Sequence, residues 1–169
     1  MLVKQSILAV ESRHSGWVSS AVLKQQPWNG PLDTPLLPSG AFSLAAQFIT
    51  SCPQDNPALP VQAHPALTIS NAAPAAGEQV TFTYNRSPAR AVARDDADAD
   101  RRPRGKFVVW LDGLDVIYTA LSRDGKTIVP QGLAGTVYAA VVSTKSAPVS
   151  DATLVTGFAV VQFPFNSKV

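Results

Sequence analysis

The chain has 169 residues, of which 15% are charged, and its formal net charge is +2. This length suffices for one ordinary domain with or without an appendage, and the weak charge provides no overall field for nucleic acid or an anionic membrane. Cys52 is the only cysteine, which excludes an internal disulfide and a metal site of several thiolates. We therefore expect no nucleic-acid partner, and no stretch is long and apolar enough to predict a membrane span.

The beginning of the chain carries a helical pattern. Apolar side chains recur at three- and four-residue steps from Leu2 to Gln25. This is the period of an amphipathic helix, to which we assign residues 1–26. Positions 7, 11, 14, 18 and 21 stack along one side of such a helix. Glu11 and His14 therefore share the face that we expect to be buried.

Glu11 and His14 form the motif with the clearest chemical meaning. A Glu and a His three residues apart on a helix are part of the ligand set of carboxylate-bridged di-iron bundles, whose complete centre takes four Glu and two His from four helices. The whole chain has two Glu and two His, namely Glu11, Glu78, His14 and His64. One copy therefore predicts an incomplete metal site at Glu11 and His14, and no cofactor in the isolated chain. The alternative is a partly exposed Glu beside a His that hydrogen-bonds a serine or the backbone.

Residues 27–65 form a predicted linker. Proline is frequent there and interrupts regular backbone hydrogen bonding. A short helix is predicted over residues 40–51, with Ser39 as its N-cap and an apolar face that ends before Pro53. His64, near the end of the linker, is interpreted as a surface or packing residue.

From residue 66 onward the apolar period changes to two, which predicts strands. Seven β-branched or aromatic runs are separated mostly by turn-forming residues, and they cover residues 67–70, 80–84, 107–111, 116–119, 127–129, 136–142 and 154–163. Seven short strands predict an immunoglobulin/fibronectin-like β-sandwich over residues 66–165, so the chain as a whole is predicted to be α+β. Asp124-Gly125 is the strongest turn signal. Tyr138 is either a tyrosine corner or an ordinary rim tyrosine.

Residues 86–106 interrupt the strand pattern with seven basic and four acidic residues. Few apolar side chains are present to offset the entropy of ordering, so we predict a disordered insertion. Asp96, Asp98 and Asp100 match the opening of a calcium loop, but Arg101 replaces the required glycine and the closing Glu is missing. The neighbouring aspartates neutralise much of the basic run, which argues against a nucleic-acid site.

Signatures of catalysis are missing from the sequence. It has no glycine-rich phosphate loop and no Gly-x-Ser-x-Gly elbow, so we assign no catalytic residue. Trp110 on a predicted strand, together with Tyr118 and Tyr84, would make an aromatic platform for a glycan if exposed. Aromatic residues at strand spacing are more often core residues, and we favour that interpretation.

Several segments together resemble one known family. They are Ile7 to Val18, Pro27-Trp28 with Asp33 to Pro35, Ser51 to Pro53 with Asn56-Pro57, Gly135 to Tyr138, and Gln162 to Phe165. In combination they look like the C-terminal part of the fungal ferritin-like domain proteins, a secreted family of stress-response and late sexual development proteins. The similarity spans nearly the whole chain outside residues 86–106.

The resemblance implies a larger parent protein with an export signal, a four-helix ferritin-like bundle that holds iron or manganese, and a C-terminal β-sandwich. Residues 1–26 correspond to the last bundle helix, and Glu11 and His14 are the family's ligand positions that carry over. The family is extracellular, whereas this chain shows no signal peptide, which leaves its own location open. We expect a truncated chain whose partners are the missing bundle helices or a second copy bound through helix 2–25.

Three functions follow as hypotheses. The first is a non-catalytic remnant of a ferritin-like stress or development protein. The second is a subunit of an oligomeric di-metal carboxylate protein that pools Glu11 and His14 from several copies. The third is a β-sandwich module that binds cell-wall polysaccharide or a protein.

Overall fold

The computed structural model describes residues 2–24, 30–85, 106–145 and 148–163, with the backbone alone for residues 2–5. Helix α1 spans Leu2–Trp17 and continues as a π-helical turn over Val18–Val22, and helix α2 spans Pro38–Ala46. The strands are β1 Leu67–Ile69, β2 Gln79–Tyr84, β3 Phe107–Asp112, β4 Asp115–Ala120, β5 Lys126–Ile128, β6 Gly135–Val142 and β7 Ala159–Phe163. None of the helices in these ranges has the length and apolar character needed to cross a bilayer.

The strands form two antiparallel sheets. One has the order β1-β2-β5 and the other the order β4-β3-β6-β7, and together we call them the two-sheet unit. The α+β class and the seven predicted strands are confirmed, and six strands begin within one residue of their predicted starts. The last strand begins at Ala159 instead of residue 154, because Leu154 makes only an isolated bridge to Val142.

The main hydrophobic core lies between the two sheets. It combines side chains from β1 and β2 with alternate residues of β3, β6 and β7. At its centre the rings of Phe82 and Trp110 meet edge to face with centroids 5.7 Å apart. The indole Nε1 of Trp110 donates a hydrogen bond of 2.8 Å to the Thr119 hydroxyl, so the one polar atom of this ring is satisfied.

A second apolar cluster covers the opposite face of the four-stranded sheet. It includes Val109, Leu111 and Phe158, against which Leu37 and Leu44 of the linker and α2 pack. The middle strands β3 and β6 are therefore buried on both faces. This explains why their sequences are nearly continuous apolar runs, whereas the edge strand β7 alternates between buried and exposed residues.

Helix α2 lies close to the sheet because the residues at their contact have small side chains or none. A Cβ atom on Gly40 would fall 2.3 Å from Cε2 of Phe158, and one on Gly157 would fall 2.9 Å from Cβ of Ser43. The predicted bounds 40–51 and the Ser39 N-cap are wrong. Leu37 is the N-cap and Pro38 the first helical residue, a position where the missing N–H of proline costs nothing.

The predicted burial of one face of the N-terminal helix is also wrong. All described side chains of α1 and its π-helical turn are exposed except Gly16 and Ser19, which are half-buried. Hydrophobic periodicity reveals which residues share a face but not whether a neighbour covers that face. The helix ends earlier than predicted, since Lys24 adopts a left-handed φ of 55°.

The turn predicted at Asp124-Gly125 is confirmed between β4 and β5. Gly125 has a φ of +79°, and a Cβ there would lie 2.5 Å from the carbonyl oxygen of Phe82, so only glycine fits. The Lys126 ammonium and the Ser122 hydroxyl both bond the Asp124 carboxylate, at 2.7 and 2.6 Å. These two hydrogen bonds lower the pKa of Asp124 to about 2. Most of the predicted insertion, residues 86–105, lies outside the described residues, as do the aspartates of the calcium-like segment.

Candidate functional site

Glu11 and His14 lie one turn apart on α1, and both are exposed. Neither side chain has a hydrogen bond or an ion pair within the described residues, so the alternative of a histidine tied to a serine or the backbone is not observed there. In the same ranges, no three His, Cys, Asp or Glu side chains are grouped closely enough to hold a metal ion. The pair thus lies exposed on a helix surface.

Glu78, the second glutamate, serves the turn that joins β1 to β2. Its carboxylate accepts hydrogen bonds of 2.9 Å from the Asn71 side chain and from the backbone N–H of Ala75. The bond from Asn71, followed by that from Ala75, lowers the pKa of Glu78 because both favour the charged carboxylate. Both carboxylate oxygens are engaged in this local network.

His64, the second histidine, belongs to a partly buried polar cluster beside α2. Its side chain is 9% exposed, and Nε2 lies 3.5 Å from Oδ1 of Asp151. Oδ2 of Asp151 accepts a hydrogen bond of 2.9 Å from the Ser39 hydroxyl, and the backbone N–H of His64 donates to the Ser43 hydroxyl at 2.9 Å. The cluster connects the linker, α2 and the loop that holds Asp151, which agrees with the packing interpretation of His64.

The cluster contains serine, histidine and aspartate but not in a catalytic order. A nucleophilic serine gives its proton to histidine, which the carboxylate orients. Here the Ser39 hydroxyl donates to the carboxylate of Asp151 instead. Ser39 is also only 2% exposed, so a substrate has no access to its oxygen. The arrangement joins chain segments and does not activate a nucleophile.

A small polar cleft opens between the linker and the four-stranded sheet. Its volume is about 120 Å³, and it is lined by Leu32, Asp33, Thr34, Asp112, Gly113, Thr136 and Tyr138. The Thr34 hydroxyl accepts a hydrogen bond of 2.9 Å from the N–H of Gly113, and Asp112 accepts one of 2.9 Å from the N–H of Ala134. Ligand pockets usually enclose roughly 300 to 1,000 Å³, so this cleft is smaller than a usual ligand pocket.

Tyr138 forms one wall of the cleft. Its ring meets that of Phe158 edge to face, with centroids 6.4 Å apart. Burial raises the pKa of the Tyr138 hydroxyl, and the charge of Asp33 raises it further. Sequence reasoning singled out Tyr138 only as a candidate corner. It missed the cleft because the lining residues are far apart in the chain and carry no shared motif.

The aromatic residues proposed as a glycan platform do not form one. Trp110 is fully buried, and Tyr84 and Tyr118 are half-buried. A sugar ring stacks on an exposed aromatic face, which Trp110 does not offer. The core interpretation of Trp110 is confirmed.

Comparison of the chain with protein-family models and with curated proteins gave no match. The resemblance to ferritin-like proteins therefore stays a prediction made from the sequence. Function has to be argued from the positions and contacts of this chain's own residues.

Proposed function

We propose that this chain is a non-catalytic remnant of a ferritin-like stress or development protein, made of a β-sandwich that carries an exposed helix. The observation that supports this proposal is that one glutamate and one histidine already contact other parts of the chain. Glu78 bonds its own turn, and His64 belongs to the cluster with Asp151. Of the two glutamates and two histidines, Glu11 and His14 are the pair without such contacts among the described residues. Two ligand side chains are half of the four that a tetrahedral metal site takes. A di-iron centre takes even more.

The sheet topology supports an immunoglobulin/fibronectin-like type for the sandwich. One sheet has the order β1-β2-β5 and the other β4-β3-β6-β7. The connections between strands therefore cross from one sheet to the other, as in a Greek key. A buried tryptophan on the third strand is a hallmark of such folds, and Trp110 occupies that place with no exposed surface.

The metal content of the purified chain tests this proposal. The chain is produced in medium supplemented with iron, manganese and zinc, dialysed, and analysed by mass spectrometry of the elements. We expect the same trace metal content in the chain and in a Glu11→Ala, His14→Ala double variant. Stoichiometric metal that disappears in the double variant would reject the proposal, whether it amounts to two ions per chain or to two ions per four chains.

An oligomeric di-metal protein is the second candidate function, and the exposure of the pair favours it. Glu11 and His14 lie beside exposed apolar residues on α1, among them Ile7 and Val18, so a further copy can bring additional ligands to the same place. Two copies supply only two of the four glutamates of a complete centre, so four copies are needed. A tetramer that dissociates when iron is removed is the expected observation for this candidate.

A further inference from the structure

Helix α1 and its π-helical turn present an uncovered apolar surface. Ile7 is 52% exposed, Leu8 64%, Trp17 63%, Val18 41% and Val22 56%. The helical segment Leu2–Val22 is roughly 30 Å long at 1.5 Å per residue. Ile7, Val18 and Val22 fall on one side of the helix, and Leu8 and Trp17 lie on its two opposite flanks. Exposed apolar side chains aligned on one side of a helix mark an interaction site, unlike single apolar residues scattered over a surface.

The face of this helix that contains Ile7, Glu11, His14 and Val18 can pair with the same face of a second copy. Positions 7, 11, 14 and 18 are spaced by four, three and four residues, the alternation of a heptad seam, and they are symmetric about the midpoint between positions 12 and 13. In an antiparallel pair centred there, Ile7 faces the partner's Val18 and Glu11 faces the partner's His14. One two-fold axis produces each of these contacts twice.

Charge determines the direction of the pair. In a parallel, in-register arrangement Glu11 would face a second Glu11, and two carboxylates at one layer repel each other. In the antiparallel arrangement the carboxylate of Glu11 accepts an N–H from the partner's His14, whether the imidazole is neutral or protonated. A polar layer inside an apolar seam lowers the stability of the pair but specifies its register and orientation.

We propose that two copies of this chain associate through α1 as an antiparallel two-fold pair, with Glu11 bonded to the partner's His14. The proposal extends the proposed function by naming a partner, and it gives the Glu–His motif a role in recognition that needs no metal. The apolar layers on each side of the polar centre, Ile7 with the partner's Val18, supply the attraction.

Sedimentation equilibrium of the full chain in the presence of EDTA tests this pairing. We expect a mass of twice 17.8 kDa. Glu11→His places two histidines opposite each other, and His14→Glu places two glutamates opposite each other, so each change should weaken the dimer at least tenfold. The double variant with both changes should recover the dimer, and so should an equimolar mixture of the two single variants. Arg13→Glu, on the opposite side of the helix, is the matched control and should leave association unchanged.

A monomer at about 100 µM, where even weak specific dimers form, would overturn the proposal, as would a double variant no better than the single ones. Circular dichroism of each variant verifies that the two-sheet unit is folded. Failure of this inference is distinct from failure of the proposed function. A metal-free monomer refutes the pairing alone. A dimer that persists in EDTA, formed by a chain that held stoichiometric metal before EDTA was added, refutes the non-catalytic assignment alone.

Discussion

Replacement of Trp110 by alanine tests the core most severely. Trp110 is the largest fully buried side chain among the described residues, and it contacts Phe82 across the two sheets. Truncation of a buried aromatic side chain to alanine costs about 3 to 5 kcal/mol. Loss of the bond to Thr119 adds little, because the Thr119 hydroxyl keeps its hydrogen bond of 2.8 Å with the Thr127 hydroxyl. We therefore expect a loss of about 4 kcal/mol.

Urea unfolding followed by circular dichroism measures this loss. With a urea dependence of about 2 kcal/mol per molar, a loss of about 4 kcal/mol lowers the midpoint by about 2 M. Trp17→Ala is the matched control, since Trp17 is 63% exposed on α1. An exposed substitution usually changes stability by no more than about 0.5 kcal/mol. A midpoint shift for Trp110→Ala no larger than that for Trp17→Ala would refute the placement of Trp110 in the core.

Four further predictions concern packing and titration. Gly40→Ala should lower the unfolding free energy by about 1 to 2 kcal/mol, because overpacking against a buried ring outweighs the gain of about 1 kcal/mol in helix propensity; thermal unfolding measures it. Asp124, with a pKa of about 2, should stabilise its turn above pH 4 and lose this effect as the pH falls toward 2, as NMR of its carboxyl carbon would show. Asp33→Asn should lower the raised pKa of Tyr138 only partly, since burial is the larger cause. The stabilisation from Tyr138 is complete below the ordinary tyrosine pKa of about 10 and is lost as the pH rises through the raised pKa, which ultraviolet titration of tyrosinate locates.

The strands were predictable because their signal is local. Runs such as residues 107–111 contain β-branched and aromatic residues between turn-forming ones, and this composition is enough to predict a strand. Asp124-Gly125 was equally clear, since the backbone there requires a residue without Cβ. The burial of β3 and β6 on both faces was not predicted, because the sequence does not reveal which segment covers the second face.

The features that sequence reasoning missed depend on contacts between distant segments. Ser39 looked like an N-cap, yet its hydroxyl bonds Asp151, which is 112 positions away. The cleft beside Tyr138 combines linker residues with strand ends. The face of α1 was identified by its period, but its exposure depends on what lies next to the helix, and the sequence does not specify that.

Oxygen consumption after addition of ferrous iron tests the central claim, that one Glu–His pair does not make a catalytic centre. The chain, its Glu11→Ala, His14→Ala double variant and a protein-free solution are compared at one pH and iron concentration. The account predicts the same rate in all three. A faster rate with the unaltered chain that falls to the protein-free value in the double variant would contradict it.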